Sequence, residues 1–301
     1  MTVSAIIPNL DAPAVDRTVR AVLAQRGAHA DEVLVVGRDA PGRMAAFAGA
    51  PRVRHVDASP RPPGAARNLG AALAAGSVLA FVDADCEPEP GWLAAHLARH
   101  AAGETVVGGG VLWDDANYWM LADNISMFHP FAAERPAGPR PFLPSLNLCV
   151  ARAAWEAAGG MDPVLRSGED IDFTARLAAL GHRPFFAPEA RVWHRPPRAS
   201  ARAMLAHWRQ SGRWMIHVRR GHPEWFAAPP WLYRPLALVV LAPLIAAAAT
   251  WPIYRSGAAG ARHPATLPAV FATKLAWCAG AARPVDLTAA RRAAAAHGLL
   301  G

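Results

Sequence analysis

Cysteine is nearly missing from this 301-residue chain: Cys86, Cys149 and Cys278 are the only three, and no two form a C-x-x-C pair. An odd number without paired spacing excludes a disulfide framework and a thiolate zinc site, and points to a reducing compartment. Lysine is scarcer still. Lys274 is the only one, so the excess of basic over acidic residues, 31 against 23, is carried by arginine. The stretch "IIPNLDAPAVDR", after the first apolar run, holds no glycine and no lysine, which counts against a nucleotidyltransferase loop. No internal repeat is visible. The arginines are scattered and no recognition motif accompanies them, so nucleic acid is not an expected partner. A charged leader with a small-residue cleavage site is also missing. The chain enters "VSAIIP" straight after Met1, which predicts no secretory signal.

What is present is apolar and basic. Hydrophobic residues make up 53% of the chain, the net charge is +8 and the pI is about 10.5. A GC-rich coding sequence would produce the same surplus of arginine and alanine. The functional alternative is attraction to anions such as nucleotide phosphates or an acidic lipid leaflet. Over the first 110 residues, short continuous apolar runs ("VSAIIP", "DEVLVVG", "RVRHVD", "VLAFVD") alternate with helical stretches. That order predicts βαβ units, an α/β fold with a Rossmann-like, mostly parallel central sheet, and ligands outside the carboxyl ends of the strands. Beyond it, residues 114–145 carry many prolines and read as a long loop. "NLCVARAAWEAAGG" reads as a strand turning into a short helix, Ser167–Leu180 as a helix, and "HRPFFAPEARVWH" as a short strand pair.

The run Leu79–Val82 stops at Asp83 and Asp85, two acids one residue apart. Alternate residues of an extended segment project to one side, so the pair can converge on a hard cation that completes its shell with substrate phosphates. A plain turn in "DADCEPEPG" is the structural alternative. Ser167 and Asp170 have the spacing of a capping box at a helix start.

Four segments in order resemble the family 2 glycosyltransferases of GT-A fold, over residues 3 to about 215. These are "VSAIIP", "GAARNLGAALAAGSVLAFVDADCEPEPGWL" with its Ala-Arg-Asn-x-Gly helix and D-x-D strand, "NLCVARAAWEAAGGMDP", and "GEDIDFTARLAALGHRPFFAPEARVWH". Met161 stands where the family usually has phenylalanine. The resemblance implies an inverting, metal-dependent transfer from a nucleotide-diphospho-sugar, with Mg²⁺ or Mn²⁺. Asp85 would ligate the ion, Asp83 would bind the ribose or help with the metal, and His194 would be a third ligand. Arg67 would contact the nucleotide, and Pro8 would end the first strand beside the base and ribose. Asp170 would be the general base and Glu169 would orient acceptor or donor sugar. The acidic pair that the family often places after the second strand is Gly37–Arg38 here, leaving Asp39 as the acid available for the base. Gln210-x-x-Arg213-Trp214 resembles a motif of processive polysaccharide synthases. It would put Arg213 and Trp214 near the donor and acceptor, unless it is a basic helix lying on lipid headgroups.

From about residue 200 the character changes, which divides the chain into a GT-A domain at 1–215 and a helical region at 216–301. Pro235–Tyr254 holds about 20 residues without a charge, bracketed by Trp231, Tyr233, Trp251 and Tyr254. It predicts a transmembrane or interfacial helix, the alternative being a buried hairpin. Residues 265–282 are a weaker second candidate. The expected acceptor is therefore a lipid or lipid-linked glycan, and the expected place the cytoplasmic face of the cell membrane, in cell-envelope biosynthesis. A membrane-tethered scaffold that binds nucleotide without turnover is the non-catalytic alternative.

Overall fold

A computed structural model of the chain describes residues 1–226, 228–255 and 259–298. In order along the sheet-forming part come β1 (Val3–Leu10), α1 (Val15–Leu23), β2 (Glu32–Arg38), β3 (Val53–Val56), α2 (Pro63–Leu73), β4 (Val78–Val82), β5 (Cys86–Pro88), α3 (Trp92–Ala101), β6 (Val106–Leu112), α4 (Tyr118–Phe128), β7 (Gly138–Pro139), β8 (Asn147–Ala151), α5 (Arg152–Ala157), α6 (Glu169–Ala179) and β9 (Phe185–His194). The helical part follows as α7 (Ala201–Gly221), α8 (Pro235–Val240), α9 (Ala242–Arg255), α10 (Ala259–Arg262), α11 (Leu267–Ala281) and α12 (Leu287–Ala296).

The strands form one sheet in the order β3-β2-β1-β4-β8-β6-β9-β5, with β7 pairing β9. Its first half is parallel, as the apolar runs predict: β3, β2, β1 and β4 all run one way. The second half is not. β8 is antiparallel to both β4 and β6, and β5 is antiparallel to β9, so the sheet is mixed rather than mostly parallel. β4 is buried along its whole length and lies between β1 and β8. Its carboxyl end thus opens beside that of β1, where a doubly wound sheet leaves a crevice.

Two local expectations are corrected. Residues 114–145 are not one loop, because α4 lies inside them. Asn117 caps α4 by accepting from the backbone N–H groups of Trp119 and Met120, and Leu121, Ala122, Ile125 and Phe128 form its buried stripe. The "HRPFFAPEARVWH" segment is a single strand with an irregularity. Its register against β6 shifts between Gly109 and Gly110, where a Cβ on Gly109 would fall 2.0 Å from the Ala190 carbonyl oxygen. That close approach is why β6 needs glycine there.

The C-terminal helices are also rearranged. Among the described residues no helix is long and apolar enough to cross a membrane. The apolar run at 235–254 breaks at Leu241 into α8 and α9, and α11 packs against α7, α9 and α4 as the centre of a helical layer. The run at 235–254 is thus two shorter helices rather than the one helix expected. An exposed apolar face remains: Leu236, Val239, Val240, Leu244 and Trp251 are each more than 60% exposed. The expected domain boundary at 215 falls inside α7.

Candidate active site

The crevice at the ends of β1 and β4 is a cavity of about 460 Å³, lined by Pro8, Asp11, Arg61, Arg67, Asp83 and Asp85 among others. Sequence and topology together explain how each acid reaches it. β4 ends at Val82, so Asp83 is the first residue past the ladder. The chain then turns, with Cys86 N–H donating to the Asp83 carbonyl at 3.0 Å, and re-enters the sheet as β5. In β5, Cys86 pairs with His194 of β9, and Arg195 N–H donates to the Asp85 carbonyl at 2.9 Å. This ladder sets the Asp85 carboxylate against the ring of His194, Oδ2 to Nε2 at 3.7 Å.

Single ligand atoms of Asp85, Cys86 and His194 lie within 4.8 Å of one another. The His194 ring is held from behind: its Nδ1 meets Asn124 Oδ1, and Asn124 Nδ2 donates to the His194 carbonyl. Nδ1 is thus the protonated nitrogen, and the Nε2 lone pair faces Asp85. Burial, with Arg198 nearby, lowers the His194 pKa to about 3, so the imidazole is neutral. A neutral imidazole, its tautomer set by an outer partner and facing a carboxylate, fits a divalent cation. Cys86 fits less well, because burial and the adjacent acids push its thiol well up and keep it protonated.

Asp83 lies elsewhere in the same cavity. Its Oδ1 accepts from Arg67 Nη2 at 2.6 Å, and it is not among the clustered ligand atoms. Arg67 is itself buried on α2, and its Nη1 donates to Glu169 Oε1 at 2.8 Å. Arg67 therefore does not lie on a solvated helix face. Burial and the neighbouring Asp170 raise the Glu169 pKa to about 7, against the pull of Arg67. Burial raises Asp170 too, although the backbone N–H groups of Ser145 (3.1 Å, to Oδ2) and Ile171 (2.9 Å, to Oδ1) steady its charged form.

The capping box at this helix start does not form. Gly168, in a left-handed conformation, occupies the cap position, and the Ser167 hydroxyl meets that of Ser211 at 2.9 Å. A Cβ on Gly168 would lie 2.8 Å from Met215 Sδ, so α7 packs directly on the turn that presents Glu169 and Asp170.

Six expected site residues are not on the cavity lining: Glu169 and Asp170 at the start of α6, His194 against Asp85, and Asp39, Arg213 and Trp214, which lie elsewhere. Asp39 accepts from the Met44 N–H, while Asp11, at the end of β1, reaches the cavity and holds Arg38 through an ion pair. Trp214 is buried against Val164, Leu165 and Val218, and Arg213 lines a different cavity. Residues that the sequence did not single out stand around the site instead. Asn124 is one. Arg198 is another, donating to Asp123 Oδ2 at 2.6 Å while Trp208 Nε1 donates to Asp123 Oδ1 at 2.7 Å. Ser145 and Asp11 complete the set. The signal for Asp123 and Asn124 was the helical spacing of Leu121, Ala122, Ile125 and Phe128.

Residues 100–281 match the family described as Glycosyl transferase family group 2, and residues 4–142 match Glycosyl transferase family 2. The chain belongs to glycosyl transferase family group 2. The chain is 31% identical over 124 residues to glycosyltransferase AglE of Haloferax volcanii, a match covering 41% of each chain. It is 31% identical over 140 residues to the pre-mycofactocin glycosyltransferase of Mycobacterium tuberculosis, covering 44% of this chain and 30% of that one. The chain thus spans less than half the length of the curated relatives it matches. Its fold is similar to that of a mannosyltransferase from Pyrobaculum calidifontis solved with GDP-Man and Mn²⁺. That likeness has a TM-score of 0.56 at 19% identity and covers 99% of this chain and 80% of the other.

Proposed function

We propose that this chain transfers a sugar from a nucleotide-diphospho-sugar to a hydroxyl of a lipid or lipid-linked glycan, with inversion, at the cytoplasmic face of the cell membrane during envelope synthesis. The observation that carries the catalytic part is the Asp85–His194 pair, 3.7 Å apart, whose Asp85 lines a cavity with Arg67, Asp83 and Pro8. Support for a donor of this kind comes from the family and from the GDP-Man and Mn²⁺ bound by the mannosyltransferase of similar fold.

Asp85 and His194 would hold a Mg²⁺ or Mn²⁺ ion, which when bound offsets charge on the leaving diphosphate. Pro8 would border the base and ribose, and Arg67 would fix Asp83 where it can accept from the ribose. Asp170 would take the proton of the acceptor hydroxyl as that oxygen bonds to the anomeric carbon. The bond from the anomeric carbon to the phosphate oxygen breaks in the same step, and its electron pair leaves with the nucleoside diphosphate. A carboxylate whose pKa burial has raised is a stronger base than an exposed one, which suits Asp170 to this task. Glu169, tethered by Arg67, would orient the sugar or the acceptor.

The lipid part of the reading is supported by the apolar face of α8 and α9, which would lie in the interface rather than across it. Calorimetric titration of the full chain with UDP and GDP, with and without Mn²⁺, tests the donor reading. We expect Mn²⁺-dependent binding that Asp85→Asn removes. Binding indifferent to both the metal and the substitution would sink it.

A further inference from the structure

A second cavity, of about 330 Å³, opens between α7 and the end of α11, and its lining residues are separate from those of the donor cavity. Arg209 and Arg213 stand one turn apart on α7, Gln210 lies beside them, and Arg283 follows the last turn of α11. No acidic residue lines it. Among the described residues, none of these three guanidinium groups has an ion-pair or hydrogen-bond partner. Elsewhere Arg38, Arg67, Arg99 and Arg198 each meet a carboxylate, whereas the three here are exposed at the mouth of the cavity.

The backbone beneath these arginines is tightly fixed. A Cβ on Gly280 would fall 1.9 Å from the Arg209 carbonyl oxygen, and one on Gly212 would fall 2.2 Å from that of Trp277. Both glycines let α7 and α11 touch backbone to backbone, so the two sources of positive charge cannot drift apart. Like charges one helical turn apart repel, and a third guanidinium adds to the repulsion. A bound anion with several acceptor oxygens removes that penalty, and planar guanidinium forks match phosphate oxygens.

We propose that Arg209, Arg213 and Arg283 form a phosphate-binding pocket, distinct from the donor site, that takes the phosphate of an anionic lipid headgroup. The lipid is favoured over free phosphate because α8 and α9, whose apolar face is uncovered, pack on the same α11. Neighbouring apolar and cationic surfaces are how a peripheral protein grips an acidic leaflet.

The test compares the intact chain with the double variant Arg209→Ala/Arg283→Ala. A control, Arg26→Ala/Arg292→Ala, removes the same charge from exposed positions elsewhere. Each is floated at 0.15 M salt with vesicles of phosphatidylglycerol or of phosphatidylcholine, and each is titrated with inorganic phosphate. We expect partition onto phosphatidylglycerol alone, reduced about tenfold or more in the pocket variant and little changed in the control. Saturable binding of inorganic phosphate, lost only in the pocket variant, would support the pocket but assign it to soluble phosphates. If the pocket variant and the control behave alike in both arms, the proposal is overturned. Retained nucleotide binding by the pocket variant shows that it folds, and keeps this outcome separate from the fate of the donor reading.

Discussion

Arg67 Nη1 lies 2.8 Å from Glu169 Oε1, joining residues 102 positions apart, while its Nη2 lies 2.6 Å from Asp83. One buried cation thus ties the end of β4 to the start of α6. The donor-side acid and the proposed base segment are thereby held at one distance, and the acids around it are neutralised only as long as it is there.

Arg67→Met should therefore destabilise the chain strongly. Its loss leaves Asp83 and buried Glu169 without a counter-charge, a situation that costs about 3–5 kcal/mol. Urea unfolding should show the unfolding free energy falling by that amount and the midpoint falling with it, with Arg67→Lys intermediate because an ammonium cannot span both carboxylates. An unchanged midpoint in Arg67→Met would mean that the bridge contributes nothing.

Asp170→Asn should separate chemistry from binding. The substitution keeps the size of the side chain and removes its basicity, so transfer should drop by about 10²–10⁴-fold while Mn²⁺-dependent nucleotide binding persists. Single-turnover transfer and calorimetry read the two quantities. Near-normal transfer would remove Asp170 from the base role.

Asn124→Ala should act through His194. Without the Oδ1 acceptor the imidazole loses its fixed tautomer, and metal affinity should fall by about 10–100-fold. Mn²⁺ binding followed by electron paramagnetic resonance measures this directly. His194→Ala should give a similar or larger loss, and in that background Asn124→Ala should add little.

Lys274 should make stability depend on pH. Burial in the helical layer, with Arg219 nearby, lowers its pKa from 10.5 to about 7, while its ammonium donates to the Ser126 carbonyl at 2.9 Å. Between those two values the unfolded chain carries a proton that the folded chain lacks, so this group makes stability rise as pH climbs from about 7 to 10.5. Lys274→Met should flatten that part of the Tm–pH curve. A curve of unchanged slope would show that the amine is not titrating in the fold.

Leu236→Glu with Leu244→Glu should weaken membrane attachment. Both side chains are exposed on the face of α8 and α9, and each would be buried in an interface. Losing two such apolar contacts should reduce vesicle partition by about tenfold or more at unchanged Tm. Equal flotation of variant and parent would place the apolar face outside the contact.

Legibility differed along the chain for physical reasons. The strands around Ile6, Val35 and Phe81 were readable because continuous apolar runs between helices leave few alternatives. The long segment after β6 was not. Its prolines at 130, 136, 139, 141 and 144 obscured the stripe of α4, and with it Asp123 and Asn124. The Gln210-x-x-Arg213-Trp214 spacing was legible as a pattern but not as a position. On α7, neighbouring side chains point apart, sending Trp214 into the core and Arg213 to a separate cavity.

Local pattern placed the acids and bases relative to strand ends: Asp83 and Asp85 past β4, His194 at the close of β9, Glu169 and Asp170 at a helix start. Those placements follow from local periodicity, which is a property of neighbouring residues. Which of them meet depends on how distant segments pack. Asp85 faces His194 because β5 pairs antiparallel with β9, and Asp83 faces Arg67 because α2 packs over the first strands. Such packing also turned an uncharged run into two short helices lying on the fold, because the break at Leu241 and the packing on α11 are contacts between distant segments that no local pattern encodes.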